Sequence, residues 1–327
     1  MARLALGIIG AGKHGQRYLQ HAARDLPGLT VTAVSRRDAA AGATQAAELG
    51  CRFHADWRDL VADPAVEAVV AVVPPDLHLP IARAVAQARK PLLLEKPLAP
   101  TGAAATEIVR TVRAAGIPSL MAHTLLWNAV VAAIRARLPG LGPLRALQLN
   151  QRFEPTQLDW LDDPARGGAG ILMHTGVHSF DLVRHLTGRE VRRVWCRTAR
   201  AVTVRTEDNF LAMLEMAGSD VLVSVSGSRA TLGRSGLIDV AGAEGQVVGD
   251  HLLHFAYAVR ERHRTEVPLP EAAQTVRDVL ASFLRVVRDG EAPRATLEDG
   301  ACAVLVAEAC QRAAVSGVPV DVSPLAG

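Results

Sequence analysis

The segment that most constrains the fold of this chain is a glycine cluster between an apolar run and a helix-like stretch. Residues 4–9 are apolar throughout, as expected of a buried parallel strand. They lead directly into Gly10-Ala11-Gly12-Lys13-His14-Gly15, and a helix-like stretch over 16–24 and a second strand over 29–34 follow. This spacing inside a strand–helix–strand unit predicts a dinucleotide-binding Rossmann fold.

Each glycine of the cluster has a separate physical task. We expect Gly10 to make the tight turn, Gly12 to let the backbone approach a pyrophosphate, and Gly15 to let helix and strand pack closely. The helix that follows supplies free N–H donors and a positive dipole end for the phosphates. Lys13 and His14 lie in the same loop and are predicted to contact the cofactor.

The end of the second strand predicts which cofactor is bound. Enzymes that select NAD usually carry an acidic residue there, about twenty residues beyond the glycines, for the ribose 2′-hydroxyl. This chain has Ser35, Arg36 and Arg37 instead, which suit a 2′-phosphate. Asp38 is the counter-candidate for the ribose, but it precedes an alanine-rich stretch and is more naturally a helix N-cap. We therefore predict a preference for NADP, with NAD as the alternative.

Strands and helices continue to alternate through the first third of the chain. Strands are predicted at 66–73, 92–94 and 119–122, and helices at 80–88 and 103–115. This pattern predicts an α/β fold, a doubly wound parallel sheet with ligands at the carboxyl ends of its strands, over residues 1–122. Three residues of one strand-end loop are predicted to lie along the cofactor: Pro74, Asp76 and His78.

Lys96 is the most unusual basic residue of the chain. It is one of only three lysines among 36 basic residues, and it sits at a strand end in Glu95-Lys96-Pro97. Lysine differs from arginine in that burial shifts its pKa readily and its ammonium is a compact point charge. We predict a catalytic role for Lys96 and a cofactor contact for Glu95. The alternative is a strand-end lysine that merely reaches water.

Length, charge and cysteines exclude several classes of protein. A chain of 327 residues has room for two domains. Its formal charge of +3 is spread without basic runs, and no apolar stretch reaches membrane-spanning length, so we expect neither nucleic-acid nor membrane binding. Four cysteines without CxxC spacing fit a reducing compartment better than disulfides or zinc. With no secretion-signal pattern, we predict a cytoplasmic protein without a bound metal.

The pattern changes to antiparallel strands after about residue 144. Candidate strands are 144–153, 191–198, 209–215 and 221–226, with Gly218-Ser219-Asp220 as a hairpin turn. Helices with apolar stripes are predicted near 274–288 and 298–316 as core elements. We expect residues 123–327 to form a second domain with an open, mostly antiparallel sheet.

A glycine-led helix between the first two of these strands carries a polar stripe. If the chain is helical from near residue 172, the stripe has four members on one face: His174, His178, Asp181 and His185. Three interpretations stay open. These residues are hydrogen-bonded groups at a domain interface, a zinc site, or acid–base catalysts that exchange the proton of an alcohol.

The chain resembles the glucose-fructose oxidoreductase / inositol dehydrogenase / MocA family. The resemblance rests on motifs spread in order along nearly the whole sequence: 10–15, 74–78, 95–97, Trp127-Asn128, 167–188, 282–284, 290–293 and 307–320. It implies an NAD(P)-dependent oxidoreductase acting on a sugar or polyol, assembled as a homodimer or homotetramer. It assigns His178 as the base or acid and Lys96 as its electrostatic partner.

The chain also departs from the family pattern. His174 stands where the family usually has an aspartate that contacts substrate, Leu126 stands where an arginine is common, and Asp76 replaces a frequent asparagine. His174 would then bind substrate or share the proton transfer. Candidate substrate contacts are Trp127, Asn128, Trp160, Asp163 and Asp181. Two rival functions remain: an inactive NADP-binding regulatory protein, and an NAD-dependent glycoside-cleaving enzyme.

Overall fold

A six-stranded parallel sheet forms the amino-terminal part of the molecule. The computed structural model describes residues 3–156 and 159–325. The sheet has the strand order β3-β2-β1-β4-β5-β6, the order of dinucleotide-binding folds. Its strands are β1 (Leu4–Ile9), β2 (Leu29–Ser35), β3 (Arg52–His54), β4 (Ala68–Ala71), β5 (Leu92–Leu94) and β6 (Ser119–Met121). The predicted parallel sheet is confirmed.

Helices cover both faces of this sheet and explain why its strands are apolar throughout. They are α1 (Gly15–Gln20), α2 (Ala39–Leu49), α3 (Trp57–Ala62), α4 (His78–Gln87) and α5 (Gly102–Ala115). Every residue of β4 and β5 is buried. Because the strand order reverses between β1 and β4, the carboxyl ends of these two strands frame the crevice in which such folds bind ligands.

The second sheet has nine strands in the order β14-β13-β12-β11-β7-β10-β9-β8-β15. Its strands are β7 (Leu144–Arg152), β8 (Val191–Ala199), β9 (Asn209–Met216), β10 (Leu222–Ser228), β11 (Ser235–Gly242), β12 (Gly245–Asp250), β13 (Phe255–Arg260), β14 (His263–Glu266) and β15 (Val320–Asp321). Among the described strand pairs of this second sheet, only β7–β10 is parallel. The predicted mostly antiparallel sheet is therefore confirmed.

Five further helices connect and cover the two sheets. They are α6 (Ala129–Arg137), α7 (Pro164–Gly167), α8 (Val177–Thr187), α9 (Thr275–Asp289) and α10 (Leu297–Ser316). The apolar face of α9 returns to the first sheet, where Phe283 is fully buried in one core cluster with Leu6 and Tyr18. Helix α10 packs against α5, α8 and β8 and so ties the two sheets together. The division of the chain at residue 122 stays a prediction.

Four strands over 235–266 were absent from the sequence-based expectation. Strand β14 is exposed at all four positions, so it has no apolar face by which alternation could reveal it. Strand β11 pairs with β7, a partner about ninety residues earlier in the chain. Such pairing is decided by tertiary contacts rather than by local pattern. Within the part of the chain that the structure covers, no helix is long and apolar enough to cross a bilayer.

Candidate active site

The glycine loop after β1 has the geometry that a pyrophosphate needs. Gly10 adopts φ +91°, and a Cβ built there would lie 2.1 Å from the Val72 carbonyl oxygen. A Cβ on Gly15 would lie 2.1 Å from the carbonyl oxygen of Gly10. A Cβ on Gly12 would meet no atom within 4 Å, so open space faces this backbone. Two glycines are thus required by packing, and the third leaves room for a ligand.

The end of β2 lies beside the glycine loop. The buried Ser35 offers its carbonyl oxygen to the N–H of Gly10, which fixes this strand end beside the glycine loop. Arg36 is half-buried and Arg37 is exposed. The side chain of Asp38 accepts the Ala41 N–H at 3.0 Å, so this residue is the helix N-cap that the sequence predicts.

Glu95 connects the glycine loop to the end of β5. Its carboxylate accepts the Tyr18 hydroxyl at 2.6 Å, His14 Nε2 at 2.7 Å and the backbone N–H of Lys96 at 2.9 Å. Burial opposes its ionisation, but His14, Lys96 and Tyr18 together lower the pKa of Glu95 to about 2. Only 4% of the residue is exposed and its oxygens are already bonded, so little of its surface is open to a cofactor, and the direct contact stays a prediction.

Lys96 reaches from the first sheet to the second half of the chain. Its Nζ donates to the carbonyl oxygen of His174 at 3.0 Å. Burial lowers the pKa of Lys96 to about 8, with nearby Arg229 adding to the fall and Glu95 opposing it. The side chain is half-buried. A compact cation that titrates near the working pH is therefore fixed at the carboxyl end of β5.

His174 lies in a π-helical turn, Leu172–Gly176, which precedes α8. Arg229 Nη1 lies 2.9 Å from His174 Nδ1, and since a guanidinium can only donate, Nδ1 accepts. Burial and the charges of Lys96 and Arg229 hold the pKa of His174 well below its usual value. The ring is therefore neutral with its proton on Nε2. The ring centroid of Trp160 lies 6.0 Å from that of His174.

His178 follows in the first turn of α8. Its Nδ1 is buried and without a hydrogen-bond partner among the described residues, which leaves Nε2 as the nitrogen that can meet a substrate. Burial, followed by the charges of Lys96 and the ring of His123, lowers the pKa of His178 well below 6.5. The ring is neutral at neutral pH and thus able to accept a proton.

His123 and Asp181 form a buried pair behind His178. His123 is 1% exposed, its ring centroid lies 6.1 Å from that of His178, and its Nδ1 lies 3.9 Å from Asp181 Oδ2. Burial raises the pKa of Asp181, against the opposing influence of His123. Asp181 is 3% exposed, so little of its surface is open to a substrate, and the contact stays a prediction. His123 was not predicted from the sequence, although it lies just after β6, at a strand end where ligands of such sheets bind.

Four other predicted contacts are structural. The side chain of His78 is fully buried and its Nδ1 donates to the Leu98 carbonyl at 3.0 Å, so it cannot touch a cofactor. The side-chain Oδ1 of Asn128 caps α6 by accepting the N–H groups of Val130 and Val131. Asp163 caps α7 through the Ala165 N–H, and Trp127 packs on both core clusters beneath Arg294. Polar residues at helix starts are often caps, and Asn128 and Asp163 lie where loops enter helices.

Three predicted cofactor contacts keep accessible positions. Lys13 is exposed in the glycine loop, and Pro74 is half-buried just before a 3₁₀ turn at Pro75–Leu77. Asp76 is half-exposed, with Oδ2 3.7 Å from Arg166 Nε and Oδ1 buried without a partner among the described residues. Their roles stay predictions.

Two further histidines have protein partners. His251 is buried with Nε2 3.3 Å from Gln151 Oε1, and burial lowers its pKa to about 4. His185 lies near the end of α8, where Arg135 Nη1 approaches its Nε2 at 2.8 Å, away from the other histidines of the helix. Over residues 3–156 and 159–325, no group of three or more potential ligands is arranged to hold a metal.

Comparisons with known proteins match both halves of the chain. Residues 4–123 match the model of an oxidoreductase family with an NAD-binding Rossmann fold, and residues 140–248 match the GFO/IDH/MocA C-terminal domain. Inositol 2-dehydrogenase 1 of Saccharopolyspora erythraea is 30% identical, over 97% of this chain and 96% of its own length. Levoglucosan dehydrogenase of Pseudarthrobacter phenanthrenivorans is 30% identical over 73% of this chain and 63% of its own.

Solved structures share the whole architecture. A levoglucosan dehydrogenase in complex with NADH and levoglucosan superposes with a TM-score of 0.89 at 21% identity, covering 98% of this chain and all of that one. An oxidoreductase domain protein from Kribbella flavida gives 0.89 at 22% identity, covering 99% and 100%. The motifs, the two-sheet architecture and these matches agree: the chain belongs to the GFO/IDH/MocA family of oxidoreductases.

Proposed function

We propose that this protein is an NAD(P)-dependent dehydrogenase that interconverts a secondary alcohol and a ketone on a sugar or polyol. The observation that carries the proposal is the bond from Lys96 Nζ to the His174 carbonyl. It brings the strand-end cation of the Rossmann sheet beside the helix that carries His178, one turn later. The relatives named as inositol and levoglucosan dehydrogenases support this reaction class.

The glycine loop is the proposed site of the cofactor, and it fits that group. Gly12 faces open space, while Gly10 and Gly15 are closed by their neighbours. When bound there, the nicotinamide would supply the hydride acceptor or donor. We propose that NADP is preferred, because Arg36 and Arg37 lie at the end of β2 and the carboxylate of Asp38 is engaged in capping α2.

His178 and Lys96 divide the acid–base work in this proposal. In alcohol oxidation, the neutral His178 ring accepts the hydroxyl proton at Nε2. The Lys96 ammonium stabilises the negative charge that grows on the same oxygen as the proton leaves. In the reverse direction, His178 returns the proton to the carbonyl oxygen. His174 remains neutral and presents Nε2–H as a donor to substrate.

The test is an absorbance assay at 340 nm with a panel of pyranoses, inositols, keto-sugars and sugar acids, each run with NAD and NADP. We expect cofactor reduction or oxidation with at least one member, and its loss in His178→Asn. Arg312→Gln, on the exposed side of α10, is a control that should retain turnover. Tight cofactor binding without turnover of any member would contradict the proposal. So would turnover of a glycoside without net cofactor reduction.

We also propose that the protein is a homodimer or homotetramer assembled through the second sheet. Neighbouring positions of β8, β9 and β10 expose large apolar side chains: Trp195, Leu211, Met213 and Leu222. Apolar patches of this kind mark interaction surfaces. Light scattering on the wild type and on Leu211→Glu tests this. A monomeric wild type would contradict it.

A further inference from the structure

We propose that the substrate carries a carboxylate, that Arg229 binds this group, and that the enzyme acts on a sugar acid rather than on a neutral sugar or polyol. The inference rests on the proposed dehydrogenase function and names the substrate class of the same site. It comes from Arg229, which follows β10 directly and had no assigned role in the sequence analysis.

Arg229 is a half-buried cation with no ion-pair partner among the side chains that the structure describes. Its Nη1 donates to the His174 ring at 2.9 Å, and its Nε is buried with no hydrogen-bond partner among the described residues. Among the side chains that the structure describes, no carboxylate forms an ion pair with it. A guanidinium that is withdrawn from water and left unpaired is costly, so a complementary anion would be bound strongly.

The carboxylate that acts most on Arg229 is committed elsewhere. Glu154 accepts both Nε and Nη2 of Arg234, at 3.0 Å and 2.7 Å. Both partners of this pair are substantially exposed. Arg229 and Arg234 lie over the same ring, that of Phe153, at 5.8 Å and 5.6 Å. The two arginines therefore share their surroundings but differ in that only one has its own carboxylate.

Arg229 and His174 line one cavity of about 220 Å³. The three acidic residues in its wall are bonded to backbone N–H groups rather than left free. Asp162 accepts from residues 204–206, Asp208 from residues 201–203, and Glu207 from Leu172. These bonds engage each of the three carboxylates with the backbone, whereas the guanidinium has no carboxylate partner among the described side chains and remains available to an anionic ligand.

The positions of the two cations define where the acid group lies on the substrate. Lys96 contacts the backbone carbonyl of His174, and Arg229 contacts its ring. Both cations therefore contact His174, so we place the carboxylate of the substrate at Arg229 and its reacting hydroxyl at Lys96, at different positions of one molecule. This suits a chain or ring in which several carbons separate the acid from the oxidised carbon. The planar fork of Arg229 matches a carboxylate bidentately.

The experiment compares substrates that differ only in the acid group. The pairs are D-gluconate with D-sorbitol and D-glucuronate with D-glucose, assayed at 340 nm with the preferred cofactor. We expect kcat/KM for an acid to exceed that of its neutral partner at least tenfold. Arg229→Gln should lower this acid-to-neutral ratio by roughly 30-fold or more, as expected when one partner of a buried charge pair is removed.

Two further variants make the result specific. Arg234→Gln is the matched control, because it removes an arginine from the same aromatic ring but one already paired; it should leave the ratio unchanged. His174→Asp places a carboxylate beside Arg229 and should reverse the preference toward the neutral partner. Melting temperatures of all variants check that they fold.

The outcomes separate this inference from the function on which it rests. A wild type that prefers the neutral partners, or an equal ratio in Arg229→Gln and Arg234→Gln, would overturn the carboxylate site and leave the dehydrogenase intact. If no sugar or sugar acid were turned over with either cofactor, the proposed dehydrogenase function itself would be refuted. Calorimetry of D-gluconate with the cofactor-loaded protein gives an independent readout. Binding that Arg229→Gln abolishes supports the site, whereas binding that the variant leaves unchanged overturns it.

Discussion

The ammonium of Lys96 donates to the backbone carbonyl of His174 at 3.0 Å, across 78 residues of sequence. One partner ends a strand of the parallel sheet, and the other belongs to the π-helical turn before α8. The bond holds a cation from the first half of the chain against the histidines of the second. The geometry of the candidate site therefore depends on how the two halves of the chain pack against each other.

Lys96→Met should lower kcat by roughly 10²–10⁴, the cost of losing a positioned oxyanion or proton-transfer group. The dissociation constant of the cofactor should change little, because the glycine loop is unaltered. Steady-state kinetics and cofactor titration measure the two effects. Lys90→Met is the matched control, since Lys90 Nζ bonds to backbone carbonyls of Val61 and Asp63 away from the site. Equal turnover in both variants would remove Lys96 from the mechanism.

The rate of alcohol oxidation should fall as the pH rises through about 8. Burial lowers the pKa of Lys96 to about 8, so the cation that stabilises the developing oxyanion is lost above that pH. The alkaline fall should disappear in Lys96→Arg, which stays charged, although its kcat is lower because the planar guanidinium fits the site poorly. A pH profile of kcat for both proteins decides this. An unchanged alkaline limb in the variant would assign it to another group.

Glu95 should stabilise the fold at neutral pH and cease to do so in acid. Its pKa in the folded protein is about 2, against 4.5 for a free glutamate, so the stabilisation is present above 4.5 and is lost as the pH falls toward 2. The contribution is on the order of 3 kcal/mol. Urea unfolding of wild type and Glu95→Gln at pH 7 and pH 3 should show their stabilities converging in acid. Exposed Glu48→Gln is the control.

The two glycines of the loop should fail in different ways. Gly12→Ala should fold normally, because its Cβ meets no protein atom, yet should weaken cofactor binding by tenfold or more if a pyrophosphate approaches this backbone. Gly10→Ala should destabilise the protein itself, because φ is +91° and the new Cβ would lie 2.1 Å from a carbonyl oxygen. Melting temperature and cofactor titration separate the two defects. Normal cofactor affinity in a folded Gly12→Ala would contradict the role of the loop.

Arg36→Glu combined with Arg37→Glu should shift the cofactor preference from NADP toward NAD by at least tenfold. The new carboxylates would repel a 2′-phosphate and accept a ribose hydroxyl. KM values for both cofactors measure the shift, with exposed Arg58→Glu on α3 as the control for added negative charge. A wild type that prefers NAD tenfold would contradict the NADP prediction at the outset.

Local sequence determined the Rossmann half of this protein. Apolar runs without alternation become parallel strands because both faces are covered, and the Gly10–Gly15 spacing admits few backbone paths. The same local logic selected Lys96, His174 and His178 as candidates, because strand ends and one helix face can be predicted from residue spacing. Helix capping was the feature that the sequence-based assignment of substrate contacts did not anticipate. The side chains of Asn128 and Asp163 accept backbone N–H groups at the starts of α6 and α7.

Only the tertiary structure decided which residues contact one another at the candidate site. The side chains of Tyr18 and His14 both bond to the carboxylate of Glu95, although 81 residues separate His14 from Glu95. His123 reaches His178, and Arg229 reaches His174, through the packing of separate elements. No periodicity encodes such contacts, because they arise when distant segments exclude water from a shared interior and their polar atoms must then find partners. The sequence supplied the candidate site residues, and the tertiary structure determined which other residues contact them.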